Sequence, residues 1–257
     1  MATLAGVRPG LDRDASFFFI SAVVMTLVLV AGFSVHLALG RSSFDAPLAL
    51  HVHALLFFGW TAYYLAQNTL VATGLVATHR RLGWLAAAWV PAMVIMGTYV
   101  TVELVQRGSV PFFFEPLYFL VMNPLTIVTF AGLTAAAVVL RRRTQWHRRL
   151  MLCGMALLTG PGFGRLLPLP FLIPHAGWAV FAAVMLFPLA GVIRDLRRGG
   201  TVHPAWWWGM GAIVAMQLAI EVGSGSALGI ALYNRVTAGT AGAAINPQAY
   251  PPMPPLL

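Results

Sequence analysis

Two stretches of the chain carry the same grouping of side chains where a long apolar run begins. One is Ala77-Thr78-His79-Arg80-Arg81-Leu82-Gly83-Trp84; the other is Gln145-Trp146-His147-Arg148-Arg149-Leu150-Met151-Leu152. An imidazole is a metal ligand or a proton carrier near neutral pH. A guanidinium is a rigid fork of donors for carboxylate or phosphate. The doubled pattern therefore has two readings. In the first, His79 and His147 bind one cofactor, haem b being the specific candidate, and Arg80, Arg81, Arg148 and Arg149 hold its acidic groups. A haem iron between two imidazoles needs the ring nitrogens about 4 Å apart, so this reading requires the two helix starts to be neighbours. In the second, His-Arg-Arg is an anchor at the phospholipid headgroups and the histidines never meet.

The remaining polar side chains sort by depth. His36, His51, His53 and His175 fall about one turn inside the ends of apolar runs opposite to the His-Arg-Arg ends. His51 and His53 are two residues apart and point to nearly opposite sides of a helix. His53, Phe57, Trp60, Tyr64 and Gln67 form the more polar stripe, so this stripe is expected to face inward, with His51 among headgroups. His36, His53, His175 and Glu103 share a depth and offer a metal site for zinc, copper or iron, although no His-x-x-x-His pair supports it. His203, beside Pro204, reads as a solvated loop residue. Glu221 is placed near the middle of the last apolar run, with Gln217 and Ser224 on its face. A carboxylate there must face other helices and be paired or neutral, which suits a proton relay or an interhelical hydrogen bond. Glu103, Glu115 and Arg165 lie near one boundary, where a salt bridge among them is expected.

The elements that must position these groups follow from composition. The chain has 257 residues, 59% hydrophobic and 9% charged, about a third of the ~25% usual for a soluble domain. All sixteen basic residues are arginine, and they cluster at the edges of apolar runs. The net charge of +9 is thus orientation chemistry rather than a nucleic-acid footprint. Cys153 is the one cysteine, which excludes an internal disulfide. Seven runs approach the ~20 apolar residues a transmembrane helix needs: roughly 16–39, 49–73, 83–106, 116–140, 149–167, 170–193 and 205–232. Gly160-Pro161-Gly162 should bend the fifth.

Arg80 and Arg81, then Arg141, Arg142, Arg143, Arg148 and Arg149, then Arg194, Arg197 and Arg198 fill alternate connections. The other connections hold Arg41, Arg107 and Arg165. The expected architecture is an all-α, seven-span bundle over 1–235, N-terminus cytoplasmic and C-terminus outside. Phe17–Phe19, Trp84, Trp146 and Trp206–Trp208 read as the inner aromatic belt and Phe112–Phe114 as the outer one. The Gly/Ala/Pro-rich tail 236–257 has no core of its own and is expected to be disordered or to lie along the outer surface.

Leu50-His51-Val52-His53 with Gln67, then His79 to Gly83, then His147 to Met151 with Arg165, resemble a bacterial integral-membrane family of unknown function. That family has a histidine opening one span, a glutamine about four turns on, His-Arg-x-Leu-Gly at the next span and His-Arg-Arg-x-Met at a later one. The resemblance covers roughly 50–170 and implies a helical fold and the bacterial cytoplasmic membrane, but no activity. A looser similarity is to the two-haem transmembrane b-type cytochromes. It implies an inner ligand pair, His79 and His147, and an outer pair, His53 and His175. Here a ligand-free span four intervenes, which departs from that pattern.

Three function classes follow. A haem or metal redox protein would carry electrons across the bilayer to a redox partner. A transporter, or a non-catalytic accessory subunit of a membrane complex, would use Glu221 and the broken fifth span. A metal-dependent membrane enzyme would use the outer histidines. The two His-Arg-Arg stretches start at the same face, so they are parallel in sense and give no inverted repeat.

Overall fold

In the computed structural model, residues 13–42 and 44–253 are described, and they form a bundle of helices. In chain order these are α1 (Arg13–Ala38), α2 (Leu48–Ala72), α3 (Val76–Leu82), α4 (Ala86–Gln106), α5 (Pro116–Val139), α6 (Thr144–Leu158), α7 (Gly160–Leu166), α8 (Ala176–Gly199), α9 (Pro204–Ser224) and α10 (Ala227–Thr237). A 3₁₀ turn, Gly83–Leu85, joins α3 to α4, so the chain is helical from 76 to 106.

Six helices are long and apolar enough to cross a membrane: α1, α2, α3–α4 taken together, α5, α8 and α9. Their outward faces carry Ile20, Leu27, Ile95, Leu186 and Val222, each more than half exposed. Water would not tolerate that many exposed aliphatic groups, whereas lipid is their natural solvent. The chain is an integral membrane protein.

The fifth apolar run is not one helix. It breaks at Thr159, just before the Gly-Pro-Gly sequence, into α6 and α7. The break keeps the direction of travel. Arg148 of α6 pairs with Asp14 at the start of α1, and Arg165 of α7 stacks on Phe33 near the end of α1. The α6–α7 pair therefore runs alongside α1 from one end of the bundle toward the other.

α5 lies at the centre, packed against α4, α6 and α9. The main core joins Trp60, Met93, Phe130, Leu152, Met155 and Trp206. At one end gather the start of α1, the end of α2, α3, the start of α6, the end of α8 and the start of α9, and with them most of the arginines. This is called the arginine-rich end below. Gly200, at φ +69°, closes α8 there with a left-handed cap that a Cβ would strain.

The structure corrects several expectations. The helix of the sixth apolar run, α8, starts at Ala176, not near 170, because Pro168, Pro170 and Pro174 interrupt the preceding segment. The seventh run is broken at Gly225-Ser226, where the Ser226 side chain accepts from Gly229 N–H and starts α10. Trp206 belongs to the core rather than to an interfacial belt; only Trp207 and Trp208 of that trio are exposed. The tail lies against the bundle as far as it is described, one of the two placements expected of it. The Pro247 carbonyl accepts from Leu117 N–H at 2.9 Å, Gln248 donates to the Ser224 carbonyl and Tyr250 to that of Pro174. It caps the end opposite the arginines; residues 254–257 lie outside the described residues.

Candidate functional site at the arginine-rich end

The inward stripe of α2 is the buried one. Trp60, Tyr64 and Gln67 are buried and His53 and Phe57 half-buried, while His51, Leu55 and Ala62 are exposed. α2 thereby delivers a glutamine to the arginine-rich end. The turn through Gly74 reverses the chain and brings α3 back against it.

There His79 meets His147. Their ring centroids are 6.2 Å apart and the rings stand at 75°. Each ring is anchored through Nδ1. His147 Nδ1 lies 2.9 Å from the Ala137 carbonyl at the end of α5, so it carries the proton and donates. His79 Nδ1 lies 2.6 Å from the side-chain nitrogen of Gln67, whose amide oxygen accepts from Gly83 N–H at 3.2 Å and faces the Tyr63 hydroxyl at 2.9 Å. In this arrangement the proton of neutral His79 sits on Nε2, while Nε2 of neutral His147 presents a lone pair. The Tyr63 hydroxyl also lies 3.0 Å from the Leu82 carbonyl and shares its one proton between two acceptors.

The arginines divide. Arg149 is buried and bound to Asp195 of α8, which also accepts from Trp206 Nε1 at 2.9 Å and from His203 N–H at 3.2 Å. Arg148, Arg194 and Arg198 converge on Asp14. Arg148 and Arg149 are thus engaged by carboxylates of α1 and α8. Arg80 and Arg81 are exposed and stand in no ion pair among the described residues. Sequence reasoning does not find Asp14 and Asp195. Their signal is slight: two acids placed in arginine-rich helix ends.

His203 is not a solvated loop residue. It is the half-buried N-cap of α9; its Nδ1 accepts from Ala205 N–H at 3.1 Å, and its ring meets Trp146 edge-on. Burial, then the Arg149 guanidinium, pushes its pKa below the usual histidine value.

The outer residues do not assemble as expected. His53 stacks on Phe57 at 4.1 Å, whereas His175 is exposed at the N-cap of α8, and no ring contact joins them. Among the described residues no three His, Cys, Asp or Glu side chains cluster as metal ligands, so His36, His53, His175 and Glu103 form no such site. Glu103 pairs with Arg107, and Arg165 stacks on Phe33 instead of joining a carboxylate. Of the polar groups expected to be buried, Gln67 is; Glu103, Arg165 and Glu221 are half-buried.

Glu221 lies in the last turn of α9, not at mid-span, because the helix ends at Ser224. It does face another helix: its carboxylate accepts from Gln217 at 2.8 Å and lies 3.3 Å from the Tyr118 hydroxyl of α5. Glu115, the N-cap of α5, is close enough that burial and then the Glu221 charge push its pKa up.

No family model, curated protein or solved structure matches the chain.

Proposed function

We propose that the chain is a seven-span protein of the bacterial cytoplasmic membrane that holds a metal-centred cofactor, haem b foremost, between His79 and His147. The arginine-rich end faces the cytoplasm, a placement supported by the distribution of arginines among the connections. The α6–α7 pair supplies the seventh crossing.

The observation that carries the reading is the 6.2 Å between the two imidazoles. Two iron–nitrogen bonds of about 2 Å, plus about 1 Å from each ligating nitrogen to its ring centre, ask for about 6 Å. Haem iron needs only two protein ligands because the macrocycle fills the other positions; a closed zinc site needs four. A pair without a third ligand therefore favours haem over a bare ion. His147 donates Nδ1–H to a carbonyl, the usual outer-shell arrangement for a ligand at Nε2, and His79 is held at Nδ1 by the Gln67 amide. A metal held at His79 Nε2 would require the ring proton on Nδ1, and the Gln67 side-chain oxygen rather than its nitrogen would have to face it. α3 has no buried residue and so has the least packing to lose when a flat group enters. Exposed Arg80 and Arg81 are the arginines free to hold propionates. A bound haem would supply one-electron chemistry for a redox partner at this face.

The test is the visible spectrum of the purified protein. A Soret band with sharp reduced α-bands is expected, lost in His79→Ala and in His147→Ala while the protein stays monodisperse. Absence of both haem and transition metal from the wild type, or unchanged cofactor content in the double variant, overturns the reading.

A further inference from the structure

The end of the bundle remote from the histidine pair holds a second cluster. α1 and α7 cross there with bare backbones in contact. A Cβ on Gly32 would lie 2.5 Å from the Gly162 carbonyl oxygen, and one on Gly162 would lie 2.9 Å from that of Val28. About one turn further along each helix stand His36 and Arg165. Phe33 of α1 lies beneath the guanidinium, 3.8 Å from its carbon to the ring centre, and meets Phe58 of α2 edge-on at 4.9 Å. His53 completes the group from α2, five residues before Phe58.

Arg165 differs from the other arginines that penetrate the bundle. Arg148, Arg149 and Arg194 each have a carboxylate, and even exposed Arg107 has Glu103. Arg165 has the Pro161 carbonyl at 2.9 Å and the face of Phe33, and no acid within ion-pair distance among the described residues. Its Nε is shielded from solvent without a partner, while the His53 ring donates to the Met96 carbonyl and its Nδ1 is unpartnered. A guanidinium has five N–H donors, so most of this one's capacity is unspent. The cation is held in place by an aromatic ring rather than by an anion.

We propose that Arg165, His36 and His53 form a binding site for a phosphate-type oxyanion. Such a group brings a negative charge and several acceptor oxygens to donors arriving from α7 and α1, beside the His53 ring of α2, and the arginine fork matches it in geometry. Two sources offer this chemistry: the headgroup of an anionic phospholipid, since the site lies where the apolar helices end, or a soluble phosphate. The site is separate from the His79–His147 pair, and its test needs no cofactor.

The full chain in mild detergent is given phosphatidylglycerol or phosphatidylcholine, and retained lipid is counted by native mass spectrometry. Thermal unfolding is measured in parallel with inorganic phosphate against chloride at equal ionic strength. Wild type should retain phosphatidylglycerol over phosphatidylcholine, with about tenfold loss in Arg165→Gln, the size of one charge-assisted hydrogen bond. His36→Gln should lose part of the preference, and Arg107→Gln none. Retention of phosphatidylglycerol without phosphate stabilisation identifies a lipid site; stabilisation by phosphate identifies a soluble oxyanion. If wild type shows neither, or Arg165→Gln binds as wild type does, the proposal is overturned. If Arg165→Gln does not fold, His36→Gln decides, and an unchanged preference there overturns it.

Discussion

Arg149 and Asp195 form a buried bidentate ion pair: Nη2 lies 2.8 and 2.9 Å from the two carboxylate oxygens, and Nε lies 3.2 Å from one of them. The pair ties the start of α6 to the end of α8, and the Trp206 indole bonded to the same carboxylate adds the start of α9. A Cβ at Gly191 would collide with that indole, so the glycine is what lets Trp206 reach Asp195.

Removing Asp195 strands the Arg149 guanidinium away from water, which costs about 3–5 kcal/mol; removing Arg149 leaves Asp195 with Arg194 Nη1 at 3.7 Å. Asp195→Asn should therefore lower the thermal midpoint of the detergent-solubilised protein sharply, and Arg149→Met by less. The double variant should lose less than the sum. Its amide oxygen at position 195 would still accept from Trp206 Nε1 and His203 N–H, and no lone charge would remain. Additivity within about 0.5 kcal/mol would show that the pair is not energetically coupled.

Gln67 controls the tautomer of His79, and this makes it a positioning residue for the proposed cofactor. Gln67→Glu would accept from His79 Nδ1–H while keeping Gly83 N–H and Tyr63 as donors. The ring becomes more basic, so cofactor retention should rise and the reduction potential fall. Gln67→Leu removes the anchor and should weaken retention about 10–100-fold, the usual effect of an outer-shell loss. A spectroelectrochemical titration of the three proteins reads both quantities. Equal potentials in Gln67→Glu and wild type would remove His79 from the ligand set.

Much of this end is legible in the sequence. The doubled His-Arg-Arg places two histidines at matching depth, and the α2 stripe places Gln67 inward. What the pattern does not supply is partners. Asp14 and Asp195 are ordinary acids in sequence, and which arginine each meets depends on how α1, α6 and α8 pack. Sequence sets Glu221 too deep because the apolar run continues to 232, while the helix ends at Ser224 and restarts after the Ser226 cap. The tail has no helical or alternating period to read; it is held by bonds to backbone carbonyls and amides that no side-chain pattern announces.

His203 caps α9 with an unprotonated Nδ1. Burial and the Arg149 charge hold its folded-state pKa below the unfolded value of about 6.5. The unfolded chain therefore binds the proton more readily. The cap's contribution is complete above pH ~6.5 and is lost as pH falls through the folded pKa. The thermal midpoint should decline with acidification across this range. His203→Asn, a capping side chain that does not titrate, should flatten that part of the profile. An identical slope in the variant would assign the acid sensitivity to other groups.

The last prediction concerns the broken fifth apolar run. α6 and α7 are each too short to span ~30 Å of hydrocarbon at 1.5 Å per residue, but 144–166 run end to end are long enough. Two observations argue that they cross together. His147, Arg148 and Arg149 meet His79, Asp14 and Asp195 at the arginine-rich end, while Arg165 stacks on Phe33 far along α1. The Gly32–Gly162 contact holds α7 against the latter half of α1, where a segment folding back to its starting face would not lie. Alkaline phosphatase fused after Arg142 should be inactive, after Leu172 active, after Arg198 inactive and after Leu257 active. The pair at 142 and 172 decides between seven crossings and six. If both fusions report the same side, α6–α7 is re-entrant; if all four reverse, the arginine-rich end faces outward.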